Sequence, residues 1–438
     1  MAGVLHSDWT VESARSVLAQ CVDLKSAYKQ LVRHSDDASI SIVAVWNTET
    51  KKTDLYESVA LPFGSSGSVY GFNRCSYALR KIFIRFFKMT LTSFFDDFPW
   101  LEWAPMSEVT ARVSKDTLGH LGWSVSVDKL KPFRSLFEAL GVEFDLGGLP
   151  TRGSLVISNT LKRRVSVVEE IRKLLESGFI AQYQAASLRG RLLYGEAQHW
   201  GRIMSLTTQL LAHRAQGTGC GIIDHELSEA LTIASWIMEN SSPRTLFPWT
   251  KEEKCNIVFV DAAAEDLPGH ENQLVSIGAV IFTERLPAPE YFGFVLDKEI
   301  VAHWQSTGSK QVIAQAELLP IVVAKWVWGS VLSHSKTIFF QDNESARESL
   351  IRSYSPVWSS RELIVLSKIA DASRSSIDWY ARVPTAANIA DGPSRMDFVH
   401  VNSMGAVQLQ VPSPRLEQIT GIDVIRQLAQ KGKTLGRK

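Results

Sequence analysis

Two adjacent carboxylates, Asp96 and Asp97, close the apolar run Leu91 to Phe95 in the stretch Phe94-Phe95-Asp96-Asp97. Side-by-side acids repel, and each is costly to desolvate without a cation or a donor. A chain that keeps such a pair at a strand end either turns there into solvent or holds a divalent metal. A third acid lies upstream, Asp23, in Cys21-Val22-Asp23-Leu24-Lys25-Ser26-Ala27-Tyr28. Two strands that each end in Asp, side by side in one sheet, would build a two-metal site. The 73 positions from Asp23 to Asp96 leave room for a hairpin, a loop and a helix.

The pattern around these acids organises the chain into regions. Over residues 1–150, Ser39 to Trp46 alternates as a half-buried strand and Thr53 to Leu61 reads as its hairpin partner. Ser76 to Thr92 places Leu79, Ile82, Phe83 and Phe86 at helical spacing, and Leu121 to Val127 and Phe137 to Leu146 read as short strands. Residues 151–250 are helical in pattern. Val165 to Glu176 opens on a Ser166/Glu169 capping-box signature, followed by Ser187 to Leu211 and His225 to Asn240. Ser241-Ser242-Pro243 ends that region. Residues 251–400 return to strands alternating with helices, and 401–438 form a tail with a basic end.

Composition limits the function classes. Hydrophobic content of 45% and charged content of 21% fit a soluble globular protein. No apolar run reaches the roughly 18 residues of a bilayer span, and the N-terminus lacks a signal-peptide pattern. The four cysteines are far apart and have no zinc-ligand spacing, which reads as an intracellular, unsecreted protein, cytoplasmic or nuclear. A net charge of +1 excludes a globally basic coat, but charge is unevenly spread. Arg74 to Lys88 holds five basic residues and no acid, and Thr151 to Arg214 holds ten Lys/Arg against four Glu. Local stripes of this kind create the field that phosphate feels, although a solvated helix face has the same composition.

A second constellation follows downstream. Asp261 closes Val258-Phe259-Val260, Glu317 lies in the helical Gln315-Ala316-Glu317-Leu318-Leu319, and Asp342 closes Ile338-Phe339-Phe340-Gln341. Asp391 sits in Asn388-Ile389-Ala390-Asp391-Gly392-Pro393-Ser394-Arg395. Acids at strand ends and on an adjacent helix converge at one edge of an α/β sheet, though each alone is also a common capping residue.

Together these motifs resemble the reverse transcriptase–ribonuclease H region of retrotransposon polyproteins. Asp23 to Leu31 resembles the first palm motif, and Leu61-Pro62-Phe63-Gly64 with Phe72-Asn73-Arg74 the second. Phe94-Phe95-Asp96-Asp97 resembles the aromatic-x-Asp-Asp box, with Phe94 in place of the usual Tyr. Gly122-Trp123-Ser124, Lys129 and Leu140-Gly141-Val142 resemble the later palm motifs. The ending around Asn388 to Arg395 is similar to that of DIRS-like and gypsy-like elements. Only 22 residues precede Asp23, so the resemblance implies an N-terminally truncated member.

The implied architecture is an α+β palm lacking most of the fingers, a helical thumb or connection, then an α/β ribonuclease H-like domain with a mixed sheet. Implied metal ligands are Asp23 and Asp96, with Asp97 supporting, and then Asp261, Glu317, Asp342 and Asp391. Each site would take two Mg²⁺ or Mn²⁺ ions. Tyr28, Phe63, Gly64 and Lys129 would form the deoxynucleoside triphosphate pocket, with the Tyr28 ring excluding a 2′-hydroxyl. Arg74, Arg189, Arg191 and Arg202 would track backbone phosphates. The implied partners are an RNA template, a DNA primer and an RNA–DNA hybrid, with no membrane. Two other readings stay open. One is a non-catalytic nucleic-acid-binding relic or host-adopted copy, and the other a ribonuclease H-only enzyme.

Overall fold

The computed structural model describes residues 16–126, 130–199, 202–217, 221–246, 254–265, 273–306, 311–374 and 376–420. The chain divides into two compact units, Met1–Thr160 and Leu161–Lys438. Both mix helices and sheets. Among the described residues no helix is long and apolar enough to cross a membrane.

Unit 1 is built on a three-stranded antiparallel sheet. Strand β1 (Val17–Asp23) pairs with β5 (Asp97–Trp103), and β4 (Thr90–Leu91) flanks β5 on its other side. The ribbon of β2 (Ile42–Asn47) and β3 (Lys52–Glu57) forms the expected hairpin over shorter strands, and β2 is exposed on both faces where its alternation predicts a half-buried strand. Helix α1 (Ser66–Phe86) covers the sheet because Phe72, Ser76, Leu79 and Phe83 recur every three or four residues and make one buried stripe. They close a core with Val22, Tyr28, Phe98 and Trp100, joined by Leu118 of α2 (Ser107–His120). A meander of β6 (Leu136–Ala139), β7 (Val142–Asp145) and β8 (Leu155–Asn159) completes the unit. Its first turn needs positive φ at both central residues, and Leu140 (53°) and Gly141 (68°) supply it.

Unit 2 opens with four helices, α3 (Leu161–Ser177), α4 (Gln182–Glu196), α5 (Ser205–Ala215) and α6 (His225–Asn240). The last has the bounds its pattern predicts. The expected single helix Ser187 to Leu211 is two helices. Glu196 turns back at the break to accept the Met204 amide at 3.0 Å. A short strand, β9 (Arg244–Leu246), precedes a six-stranded mixed sheet. That sheet comprises β10 (Asn256–Glu265), β11 (Leu274–Phe282), β12 (Glu290–Val295), β13 (Lys336–Gln341), β14 (Ile377–Arg382) and β15 (Val407–Gln408). Its order is β14-β13-β10-β11-β12-β15. The pairs β10–β11 and β11–β12 are antiparallel, and β13 is parallel to both β10 and β14.

Alternation gives this sheet two apolar faces. Val258, Val260, Ile277, Ala279 and Phe292 join the main core with helices α7 (Lys298–Ser306) and α8 (Ile313–Val327). Phe259, Val280, Phe282 and Tyr291 pack with Ala390, Phe398 and Val401 on the other face. Helix α9 (Glu344–Arg352) follows β13, and α10 (Trp358–Arg374) lends Val365 and Ile369 to the core of the four-helix region. Helices α8 and α10 and strand β14 also share a buried ion cluster. Lys325 Nζ lies 2.6 Å from Asp378 Oδ2, is paired with Asp371, and donates to Ser367 at 2.9 Å and Tyr380 at 3.0 Å.

Candidate functional site

In unit 2 the parallel register pairs Phe259 of β10 with Phe340 of β13 and carries the chain to Asp261 and Asp342, two residues further on each strand. The expected strand ends at Asp261, but β10 continues to Glu265 because Ala262, Ala263 and Ala264 keep pairing with β11. Helix α8 contributes Glu317, held against β13 by Gln341 Nε2, which donates to the Glu317 carbonyl at 3.0 Å. Carboxylate oxygens of Asp261, Glu317 and Asp342 all lie within 4.8 Å of one another. Asp261 and Glu317 are each only 4% exposed.

Such closeness is costly without a cation. Burial, reinforced by Asp261 and Asp342, pushes the Glu317 carboxyl up to about 9. Burial pushes Asp261 up to about 6, with Asp342 and Asp391 adding to the rise and the Ser394 hydrogen bond opposing it. Glu317 Oε2 is buried with no hydrogen-bond partner. Among the described residues no Lys or Arg forms an ion pair with any of the three. A buried, orphaned oxygen in an all-oxygen donor set fits a hard divalent cation such as Mg²⁺ or Mn²⁺.

Asp391 stands at the edge of this group. Its charge reaches Asp261, but its Oδ1 accepts from Arg395 Nε at 3.1 Å, and it lies outside the group of three. Two residues that spacing alone left without a role touch Asp261 directly. Ser394 Oγ donates to Oδ2 at 2.6 Å, and Asn388 Nδ2 donates to Oδ1 at 3.2 Å. Their shared motif with Asp391 was the signal available in the sequence.

In unit 1, Asp23 and Asp97 face each other as the terminal pair of the β1–β5 ladder. The run Leu91 to Phe95 is not a strand that ends in the acids. Phe94 and Asp97 exchange backbone hydrogen bonds at 2.9 and 3.0 Å, so Phe95 and Asp96 form the tip of a hairpin and Asp97 begins β5. The tip holds Phe95 at φ +53°, a strained conformation for a bulky residue. Ser76 Oγ fastens it by donating to the Phe95 carbonyl at 2.7 Å. All three acids act on the nearby Cys21 thiol, which burial first and then Asp97, Asp23 and Asp96 push up to about 12. They stand half-buried and do not form a group as tight as that in unit 2. A cleft of about 660 Å³ beside Asp23 and Asp97 is lined by Cys21, Lys131 and Arg134.

The expected pocket residues are near this hairpin. Tyr28 is buried, stacks on Phe72 at 4.7 Å and touches Phe63 at 4.9 Å, while Phe63 itself is exposed. Gly64 is required by its backbone, at φ +87°, and has open space around it. Lys129 lies outside the described residues. Arg74 is exposed on α1. The other three arginines have internal partners. Arg189 donates to the Thr208 carbonyl at 3.2 Å, Arg202 to the Ile351 carbonyl at 3.4 Å, and Arg191 to Ser166 at 2.7 Å and to Glu170.

No family model matches the chain, and no curated protein matches it. Among the solved structures similar to it are three of foamy viral protease–reverse transcriptase. A foamy viral protease–reverse transcriptase dRH with double-stranded DNA gives a TM-score of 0.40 at 13% identity, covering 87% of this chain and 60% of that one. A foamy viral protease–reverse transcriptase with double-stranded DNA gives 0.39 at 13%, covering 88% and 72%. The same kind of protein with an RNA/DNA hybrid gives 0.39 at 10%, covering 91% and 70%. The chain thus spans less than two thirds of the first of them. At these TM-scores the functional reading rests on the residues themselves.

Proposed function

We propose that unit 2 is a ribonuclease H-like, divalent-cation-dependent nuclease that hydrolyses the RNA strand of RNA–DNA hybrids. Unit 1 carries the carboxylates of a palm-type site for RNA-directed DNA synthesis. The whole is a reverse transcriptase–ribonuclease H region of a retrotransposon polyprotein, DIRS-like or gypsy-like. One observation carries the reading: Asp261, Glu317 and Asp342, 81 positions apart at the extremes, meet within 4.8 Å around a buried oxygen with no partner.

Asp261, Glu317 and Asp342 would hold the ions, with Asp391 as the neighbouring fourth carboxylate. Bound divalent ions lower the pKa of an attacking water and neutralise charge on the phosphate being cleaved. The chain's own contribution is to gather the ligands and exclude water from two of them. Asp261 and Glu317 must give up the protons that burial favours before they can serve as ligands.

In unit 1, Asp23, Asp96 and Asp97 are the proposed ligands for nucleotidyl transfer. Tyr28, Phe63, Gly64 and Lys129 are proposed to receive a deoxynucleoside triphosphate. Arg74, Arg189, Arg191 and Arg202 are proposed to approach template, primer or hybrid phosphates. Because these three acids do not converge as the unit 2 acids do, a second reading has unit 1 positioning the hybrid without polymerising. A hybrid labelled on its RNA strand, incubated with the protein in Mg²⁺ or in EDTA, tests the first reading. Fragments in Mg²⁺ only are expected, and RNA left intact in both would sink it. Primer extension on an RNA template separates the two readings of unit 1.

A further inference from the structure

Asp261 belongs to a row of residues that crosses three strands. It opposes Gly278 of β11, and Gly278 opposes Gly293 of β12. Directly opposed residues present their side chains to the same face of a sheet, so Asp261 stands beside two positions that have none. Backbone fills the space. A Cβ at Gly278 would lie 2.4 Å from Ser394 N and 2.6 Å from Pro393 C, and one at Gly293 would lie 2.3 Å from Pro393 O. No side chain could occupy either position without pushing this backbone away.

The two glycines therefore form a notch that seats the single helical turn Asp391–Ser394. Ser276 of β11 fastens the turn by donating to the Ser394 carbonyl at 2.6 Å. Seated there, Ser394 is fully buried with its hydroxyl 2.6 Å from Asp261 Oδ2. The Asp391 carbonyl lies 2.9 Å from the same hydroxyl, and the shorter contact to the carboxylate is the one expected of a charge-assisted bond. On the other side Asn388 Nδ2 bridges Asp261 Oδ1 at 3.2 Å and the Val260 carbonyl at 3.1 Å. Each Asp261 oxygen has a fixed donor and keeps further lone-pair capacity.

We infer that the Asn388–Ser394 segment is a positioning element, seated in the Gly278–Gly293 notch, that sets how tightly Asp261 can hold a divalent cation. Ser394 and Asn388 act through Asp261 and are not themselves ligands. The inference rests on the proposed reading of the unit 2 acids as a cation site. Outer partners of this kind change metal affinity when removed, whereas a turn that is only packing changes stability alone.

Mn²⁺ binding to the full chain, measured by calorimetry at a temperature where circular dichroism shows each variant folded, separates these roles. Every protein compared also carries Asp23→Asn and Asp96→Asn, so that only the unit 2 acids are read; the otherwise wild-type chain is expected to bind and Asp261→Asn to lose that binding. Ser394→Ala, which adds no volume, is expected to weaken it by about 10- to 100-fold. Gly278→Ala is expected to weaken it at least as much, and Ser394→Ala carries the test should that variant not fold. Binding by Ser394→Ala equal to wild type, with Asp261→Asn deficient, would overturn this inference alone. Wild type that does not bind Mn²⁺, or Asp261→Asn that binds it equally, would overturn the cation site and this inference with it.

Discussion

Unit 2 buries two groups of carboxylates, and only one of them contains its own cation. Asp371 and Asp378 close around the Lys325 ammonium. Burial opposes that charge, but the two acids raise the Lys325 pKa well above its ordinary value. Asp261, Glu317 and Asp342 are drawn within 4.8 Å of one another, yet among the described residues no Lys or Arg forms an ion pair with them. The difference separates a group that carries its own counter-charge from one that could hold a metal ion. A buried acid group balanced from within needs nothing further, whereas one left unbalanced must hold protons or a cation from outside. The half-buried acids of unit 1 are a third case, not gathered into so tight a group.

The sharpest way to break this comparison is to remove the internal cation. Lys325→Met leaves two buried carboxylates with only Lys368, 3.8 Å from Asp371, as a paired counter-charge, and a loss of about 3–5 kcal/mol in denaturant unfolding is expected. Divalent cations should not restore it. Unchanged stability would show that Lys325 does not balance the pair.

Neutralising the unbalanced group should do the opposite. Asp261→Asn in EDTA is expected to be as stable as wild type or more stable, by about 1–3 kcal/mol at neutral pH, because it removes a buried charge that repels its neighbours. Marked destabilisation in EDTA would mean that the Ser394 and Asn388 hydrogen bonds outweigh the repulsion and that Asp261 is not awaiting a cation.

Titration sharpens the same contrast. The folded-state pKa values of Asp261 (about 6) and Glu317 (about 9) lie above the unfolded 3.8 and 4.5, so the folded protein binds more protons in those windows. Their contribution to stability is fully present below about pH 4 and is lost as pH rises through about 6 and on toward 9. Unfolding midpoints in EDTA should therefore fall over that range, and saturating Mn²⁺ should flatten the fall by replacing the protons. Equal slopes with and without Mn²⁺ would contradict the account. The smallest effect is expected at the half-buried hairpin of unit 1. There Asp96→Asn should change stability by no more than about 0.5 kcal/mol and leave hybrid cleavage intact.

Much of this was legible from local pattern. Glu317 lies in a helix signature and Asp342 follows a strand signature that both fold as such, while the strand through Asp261 runs on past it, and His225–Asn240 keeps its bounds because apolar periodicity and the Asp224 cap agree. The turn at Asp96 is one of the two readings that the acid pair allows; the apolar run before it suggests a strand instead, and nothing in Phe94-Phe95 announces the positive φ that reverses the chain. The break between α4 and α5 carries no proline in Ser187 to Leu211. The Glu196 carboxylate accepts the Met204 amide across it, a contact that propensity cannot report. The notch is the least legible feature. A glycine inside a strand reads as weakness, and only the cross-strand register shows that Gly278 and Gly293 face each other under Pro393.

The central claim is that Asp261, Glu317 and Asp342 form a cation-dependent nuclease site. Cleavage of an RNA–DNA hybrid across a Mg²⁺ series, by wild type and by folded Asp261→Asn, tests it most directly. The account predicts RNA-strand cleavage by wild type that rises with Mg²⁺, and none by the variant at any concentration. Cation-dependent cleavage retained in Asp261→Asn would contradict it.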